Sequence, residues 1–180
     1  MDTLKFIALL LFTLTSCEYS HNSEPKEKEI IESIDPFSTI DFDKVIAYDF
    51  AGDTDIPLLD SNNQLTKNVI KQVVLDTIQL NEFKKIIIDS TTFGELQPKD
   101  FYPHLGIVFY QNYKIIQSLE VSLICSGMFA TFPIQQLDKR KYPDNGLTEK
   151  GKVKIYNFCK KLGFNQYLGS KKYIEYQPAQ

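Results

Sequence analysis

Histidine and cysteine are scarce enough here that their positions limit the chemistry open to the chain. Its 180 residues include two His and three Cys. His21 falls in a charged N-terminal stretch, where a ligand would bear the entropy cost of ordering its own segment. Any imidazole acid, base or metal ligand in a folded part is therefore His104. Cys125 follows at the far end of the next apolar stretch, and a hairpin between them would bring the two ends together. A thiolate nucleophile at Cys125, a base at His104 and an orienting carboxylate at Asp100 would make a Cys-His-acid set. The competing reading is a surface His beside a buried thiol that packs as a small hydrophobe. Asp49, Asp53, Asp55 and Asp60 crowd a second segment. Oxygen-rich loops bind Ca²⁺ outside cells, but the spacing lacks the Gly and Glu of an EF-hand loop. A carboxylate pair for glycoside hydrolysis or a solvated acidic loop fits the same residues. A two-His metal site would need His21, so no metal and no cofactor is expected. The sequence contains no G-x-S-x-G, H-E-x-x-H, G-x-x-x-x-G-K, G-x-G-x-x-G or C-x-x-C, which removes the commonest hydrolase, metalloprotease, nucleotide and redox signatures.

The elements that must hold these residues are read from periodicity. Asp43–Phe50 is apolar on both faces of a strand, and Asn68–Leu75, rich in Val and Ile, predicts a second strand antiparallel to it. Gly52, Pro57 and the polar run 60–64 make a loop between them. Asp76 with Gln79 forms a capping box, and Leu80, Phe83 and Ile87 follow at helical spacing, which predicts a helix over about 78–89. Residues 91–103 read as loop. The clearest hairpin joins His104–Tyr110 to Lys114–Ile124 through Gln111-Asn112-Tyr113, with one core face and one mixed face. A short apolar piece, Met128–Phe132, ends at Pro133. Thr148 caps a last helix over about 148–162, with Ile155, Phe158, Cys159 and Leu162 as its stripe and Gly163 as its stop. Gly151 costs that helix about 1 kcal/mol relative to Ala. Lys172–Tyr176 reads as an edge strand. The expected fold is α+β: one domain over 41–180, mainly antiparallel sheet with both helices on one face. A parallel pair between 68 and 110 stays open.

Phe6–Leu14 is an apolar run preceded by Lys5 and followed by Thr15 and Ser16. That is the pattern of a signal peptide, and the run is half the roughly 20 residues that span hydrocarbon. Leu14-Thr15-Ser16-Cys17 resembles the lipobox of bacterial lipoproteins. The resemblance implies that residues 1–16 are removed and that Cys17 carries diacylglycerol and palmitate chains. Two or three acyl chains give a stable anchor where one gives a weak one. Residues 17–40 are then the lipidated Cys and a flexible tether, since few bulky side chains occur before Ile30. The domain is expected in the cell envelope, outside the cytoplasm and attached to the membrane through Cys17.

Phe101-Tyr102-Pro103-His104, Ile107-Val108-Phe109-Tyr110 and Leu147-Thr148-Glu149-Lys150-Gly151 resemble segments of a group of small uncharacterised bacterial envelope lipoproteins. That group has a Cys pair after the hairpin, where this chain has Ser122 and Cys125. No redox or metal role comes over from the pair, and the resemblance implies no activity. An exported domain allows a disulfide between Cys125 and Cys159; Cys159 on an apolar helix stripe favours a reduced, packed thiol.

Charge is uneven along the chain. Residues 1–137 carry 10 basic and 19 acidic side chains, and residues 138–180 carry 10 and 4. The basic end includes Lys139, Arg140, Lys141, Lys152, Lys154 and Lys161 and could face anionic lipid or an acidic polymer. Arg140 is the one Arg among twenty cations, so nucleic acid, which favours forked phosphate contacts, is not expected. No acid, base and nucleophile set is complete in the sequence. The reading is a lipid-anchored, non-catalytic domain that binds a protein or envelope polymer. An envelope enzyme using His104, Cys125 or the Asp49–Asp60 acids is one alternative, and a small-ligand or cation carrier the other.

Overall fold

A computed structural model describes residues 35–52, 56–96 and 99–165. Cys17 with the segment read as a lipobox, His21, Asp53, Asp55 and the strand expected at Lys172–Tyr176 lie outside the described residues. The elements run β1 (Lys44–Phe50), β2 (Val69–Val74), α1 (Thr77–Ile88), β3 (Phe93–Glu95), β4 (Leu105–Gln111), β5 (Lys114–Ser122), β6 (Gly127–Ala130), β7 (Gly146–Leu147) and α2 (Glu149–Lys161), with a 3-10 turn at Gln135–Leu137. The architecture is α+β. Five strands form one antiparallel sheet in the order β2-β1-β4-β5-β6, and β3 pairs with β7 as a separate ribbon.

Local signals account for most of this. Asp76 accepts from the Gln79 N–H at 2.8 Å while the Gln79 side chain accepts from the Asp76 N–H at 3.0 Å, so the capping box opens α1. Thr148 Oγ1 accepts from the Gly151 N–H at 3.0 Å and opens α2. Gly163, at φ +68°, ends that helix with its N–H donating to the Lys160 carbonyl. Between β4 and β5 the link is a two-residue turn, Asn112 and Tyr113, both at positive φ. A turn of that hand matches the twist of the paired strands.

The central strands β1 and β4 are buried on both sides. On one face Val45, Ala47, Ile107, Phe109, Leu119 and Val121 pack under the helices with Phe83, Ile87, Ile155 and Phe158. On the other, Ile46, Tyr48, Phe50, Val108 and Tyr110 close around Leu58. Gly106 makes that second layer possible: a Cβ there would lie 2.2 Å from Leu58 Cδ2. The loop between β1 and β2 can therefore settle onto the sheet.

Several expectations change. The hairpin's second face is mixed, with Ser118, Glu120 and Ser122 beside Val108 and Tyr110, but it is buried rather than open. Residues 91–103, read as loop, supply β3, and Met128 to Ala130 belong to β6, which gives the sheet a fifth strand. No parallel pair forms among the described strands, because β2 and β4 flank β1 on opposite sides, both antiparallel. Phe37, placed in the tether by its charged surroundings, is buried against Phe83, Phe109 and Phe132. The folded part begins before residue 41.

Candidate functional site

His104 and Cys125 are both buried, His104 to 1% exposure, while Asp100 is exposed. The three are not gathered on one accessible surface. Burial lowers the His104 imidazole to about 4, with the Tyr102 carbonyl acting weakly in the other direction. The ring is neutral at pH 7, but substrate has no access to it. Its backbone N–H donates to the Val121 carbonyl at 3.0 Å, which continues the β4–β5 pairing past Leu105. Cys125 sits in the turn after β5, with its N–H on Ser122 Oγ at 3.1 Å. Cys125 and Cys159 are both free thiols, so the 125–159 disulfide does not form. Burial first, and the nearby Asp49 charge second, push the Cys159 thiol far above its usual range.

The acidic segment is divided. Asp49 lies on the helix-covered face, where it is buried and accepts from the Asn165 N–H at 2.9 Å. Asp60 belongs to the loop on the opposite face and accepts from the N–H groups of Asn62 and Gln64 at 2.8 and 2.9 Å. Asp49 ties β1 to the backbone that follows α2 while Asp60 closes its own turn, so these two do not share a cation site. Among the described residues no group of three His, Cys, Asp or Glu side chains is placed to hold a metal ion.

The basic face of α2 is largely paired. Lys152 meets Glu149 at 2.5 Å, Lys154 meets Asp89 at 2.6 Å and Thr91 Oγ1 at 2.9 Å, and Lys161 bonds Glu82. These contacts include ties from α2 to α1 and to the segment that follows it. They leave less free charge for a lipid surface than the sequence tally implies.

A different site emerges at β6. A groove of about 710 Å³ is lined by residues including Phe101, Glu120, Phe129, Ile134, Lys139 and Asn145. Phe129 is 58% exposed on this edge strand, as Ile70 and Val74 are on the opposite edge strand, β2. Glu120, its partner across β5 and β6, is only 7% exposed. Burial raises the Glu120 carboxyl above its usual range, and the Leu58 N–H partly offsets this. Asn145 is oriented by its Nδ2, which donates to the Leu137 carbonyl at 3.0 Å; its Oδ1 is buried with no hydrogen-bond partner among the described residues. An unmet buried acceptor costs about 1–3 kcal/mol, and polar groups left in that state often belong to sites. At the rim, Arg140 grips Asp138 through two nitrogens at 3.2 and 3.3 Å, which leaves Lys139 as the unbalanced charge there.

Of the groove residues the sequence singles out only Lys139 and Arg140, and those as part of a basic end rather than of a groove. Glu120 carried a signal: a carboxylate in the middle of a long hairpin strand, on a face that also bears Val108 and Tyr110. Asn145 carried none beyond its place before Gly146.

Compared with protein-family models, with curated proteins and with solved structures, the chain finds no match. Among the described residues no helix is long and apolar enough to cross a membrane.

Proposed function

We propose that the chain is a lipid-anchored cell-envelope lipoprotein whose folded domain binds a partner without transforming it. The address rests on the apolar run Phe6–Leu14 and the lipobox ending at Cys17. The binding reading rests on the groove beside β6. The residues that line it include neither His nor Cys, while His104 and Cys125 are buried in the fold. An apolar lining with a few polar groups suits recognition.

The test has two arms. Cys17→Ser releases the protein from washed membranes if the acyl chains are its anchor, and a mutant that still pellets after a salt wash refutes the lipoprotein reading. Mild crosslinking of intact cells should yield a discrete adduct of the wild-type chain; its absence at every reagent length tried counts against a binding domain.

A further inference from the structure

Glu120 is a buried carboxyl group without a cation. It is 7% exposed and lines the groove, and among the described residues no ion pair includes it. The Leu58 N–H reaches it. One N–H does not replace the water that burial strips from a charge, so such a group either stays protonated or takes a positive partner. The walls beside it are apolar and partly aromatic. Phe129 lies directly opposite Glu120 across β5 and β6, so both side chains stand on the same face of the sheet. Phe101, Pro57 and Pro103 line the same groove. The other charged lining residues are placed differently. Asp138 and Arg140 neutralise each other, and Lys139 is exposed, where water and salt screen it. Glu120 alone is sheltered from that screening, so it sets the charge that a molecule meets inside the groove.

We propose that the groove binds a small primary amine, with its ammonium on the Glu120 carboxylate and its apolar body against Phe129 and Phe101. This rests on the binding reading above and names the class of its ligand. A groove of about 710 Å³ with an apolar lining and few polar groups has the size and character of a small-molecule site. An ammonium supplies the cation that Glu120 lacks, through charge-assisted hydrogen bonds. Aromatic rings beside the carboxylate add their own attraction for a cation. An anionic ligand would meet Glu120 as a like charge, and a wholly apolar one would leave it unpaired. A basic segment of a partner protein fits less well, because it would have to pass Lys139 at the rim.

The probes are 2-phenylethylamine, 2-phenylethanol and phenylacetate, which share one apolar body and differ in charge, titrated by calorimetry onto the full chain in mild detergent. The amine should bind roughly tenfold more tightly than the alcohol, and the anion least of the three. Glu120→Gln keeps the size of the side chain and an acceptor for the Leu58 N–H. It should abolish the preference for the amine and leave the alcohol little changed. Phe129→Ala, at an exposed ring outside the core, should weaken the amine several-fold. Equal affinity for amine and alcohol overturns the proposal, as does tighter binding of phenylacetate or no amine binding at millimolar concentration. An undiminished preference in Glu120→Gln overturns it too. So does a lysine-bearing peptide that displaces the amine at lower concentration and needs Glu120 to do so, in favour of a partner's side chain. The two readings separate in cells bearing a photo-crosslinking residue at position 129, read by intact mass. A protein-sized adduct without amine selectivity leaves a binding domain but rejects this ligand, and no adduct of any mass together with no probe binding rejects both.

Discussion

Thr92 leaves no room for a side chain at position 151: a Cβ on Gly151 would lie 2.3 Å from the Thr92 carbonyl oxygen. That oxygen accepts from the Thr148 N–H at 3.0 Å, and Thr148 Oγ1 donates to the Thr91 carbonyl at 2.7 Å. The first turn of α2 is thus seated directly on the segment leading into β3. A glycine that looks like a defect in the helix is the residue that lets it dock.

Gly151→Ala therefore destabilises the fold, although Ala is the better helix former by about 1 kcal/mol. The clash is with backbone, which cannot rotate away, and overpacking of this kind costs about 1–3 kcal/mol. Urea unfolding should show a net loss; a gain in midpoint at constant slope would mean that α2 shifts freely off Thr92.

Tyr48 and Tyr110 join their hydroxyls at 2.6 Å in the layer under Leu58. Burial, and then the bond to Tyr110, raise the Tyr48 phenol far above its usual range. Either single Phe variant strands the remaining hydroxyl and should cost about 1–3 kcal/mol. The double Phe variant removes both polar groups and should cost less than the two singles together. A double-mutant cycle by urea melts measures this, and strict additivity would show that the pair is not coupled.

These contacts mark where the sequence is readable. Elements fixed by residues near one another, such as the Asp76–Gln79 box, the Thr148 cap and the Asn112 turn, are legible because their chemistry lies within a few positions. β3 and β7 are not, since Phe93 meets Leu147 across more than fifty residues and neither segment alternates for long. β6 is four residues with an exposed Phe129, too short to show a period. The site escaped for the same reason. Glu120, Asn145 and Lys139 meet only through the tertiary arrangement, whereas Asp49 and Asp60, close in sequence, are drawn to opposite faces by the sheet.

His104 gives the fold a signed pH dependence. Its imidazole falls from 6.5 to about 4 on burial, so between these values the unfolded chain takes up a proton that the folded chain refuses. Stability is full above about pH 6.5 and is lost as pH falls toward 4, on the order of 3 kcal/mol over the window. Glu120 acts in the opposite sense, because its raised carboxyl loses stability as pH rises above its unfolded value. Measured in a Glu120→Gln background, the slope of stability against pH from 4 to 6.5 should flatten on adding His104→Gln. An unchanged slope would place the titrating group elsewhere.

Cys125 and Cys159 are both buried and unpaired, so the native chain should resist alkylation at either. Denatured without reductant, it should take up two equivalents at these positions, with Cys17 scored separately by mass. Uptake of none would reveal a disulfide and a movement of α2 toward the end of β5.

Lys154 ties α2 to the end of α1 through Asp89, and the pairing holds the Asp89 carboxyl well below its usual range. A depressed carboxylate contributes stability that is present above about pH 4 and fades as acid protonates it. Asp89 is partly exposed, so solvent and salt screen the pair and its contribution at neutral pH is small. The informative quantity is the acid limb. Lys154→Met removes the strongest contact that depresses it, leaving the Thr91 contacts at 2.7 and 2.8 Å. Asp89, followed by the carbon-13 shift of its carboxyl in an acid titration, should then titrate nearer its ordinary value, and the loss of stability below pH 4 should become shallower. If the titration does not move, Lys154 belongs to the free basic face, and the charge asymmetry of the sequence regains its claim on an anionic surface.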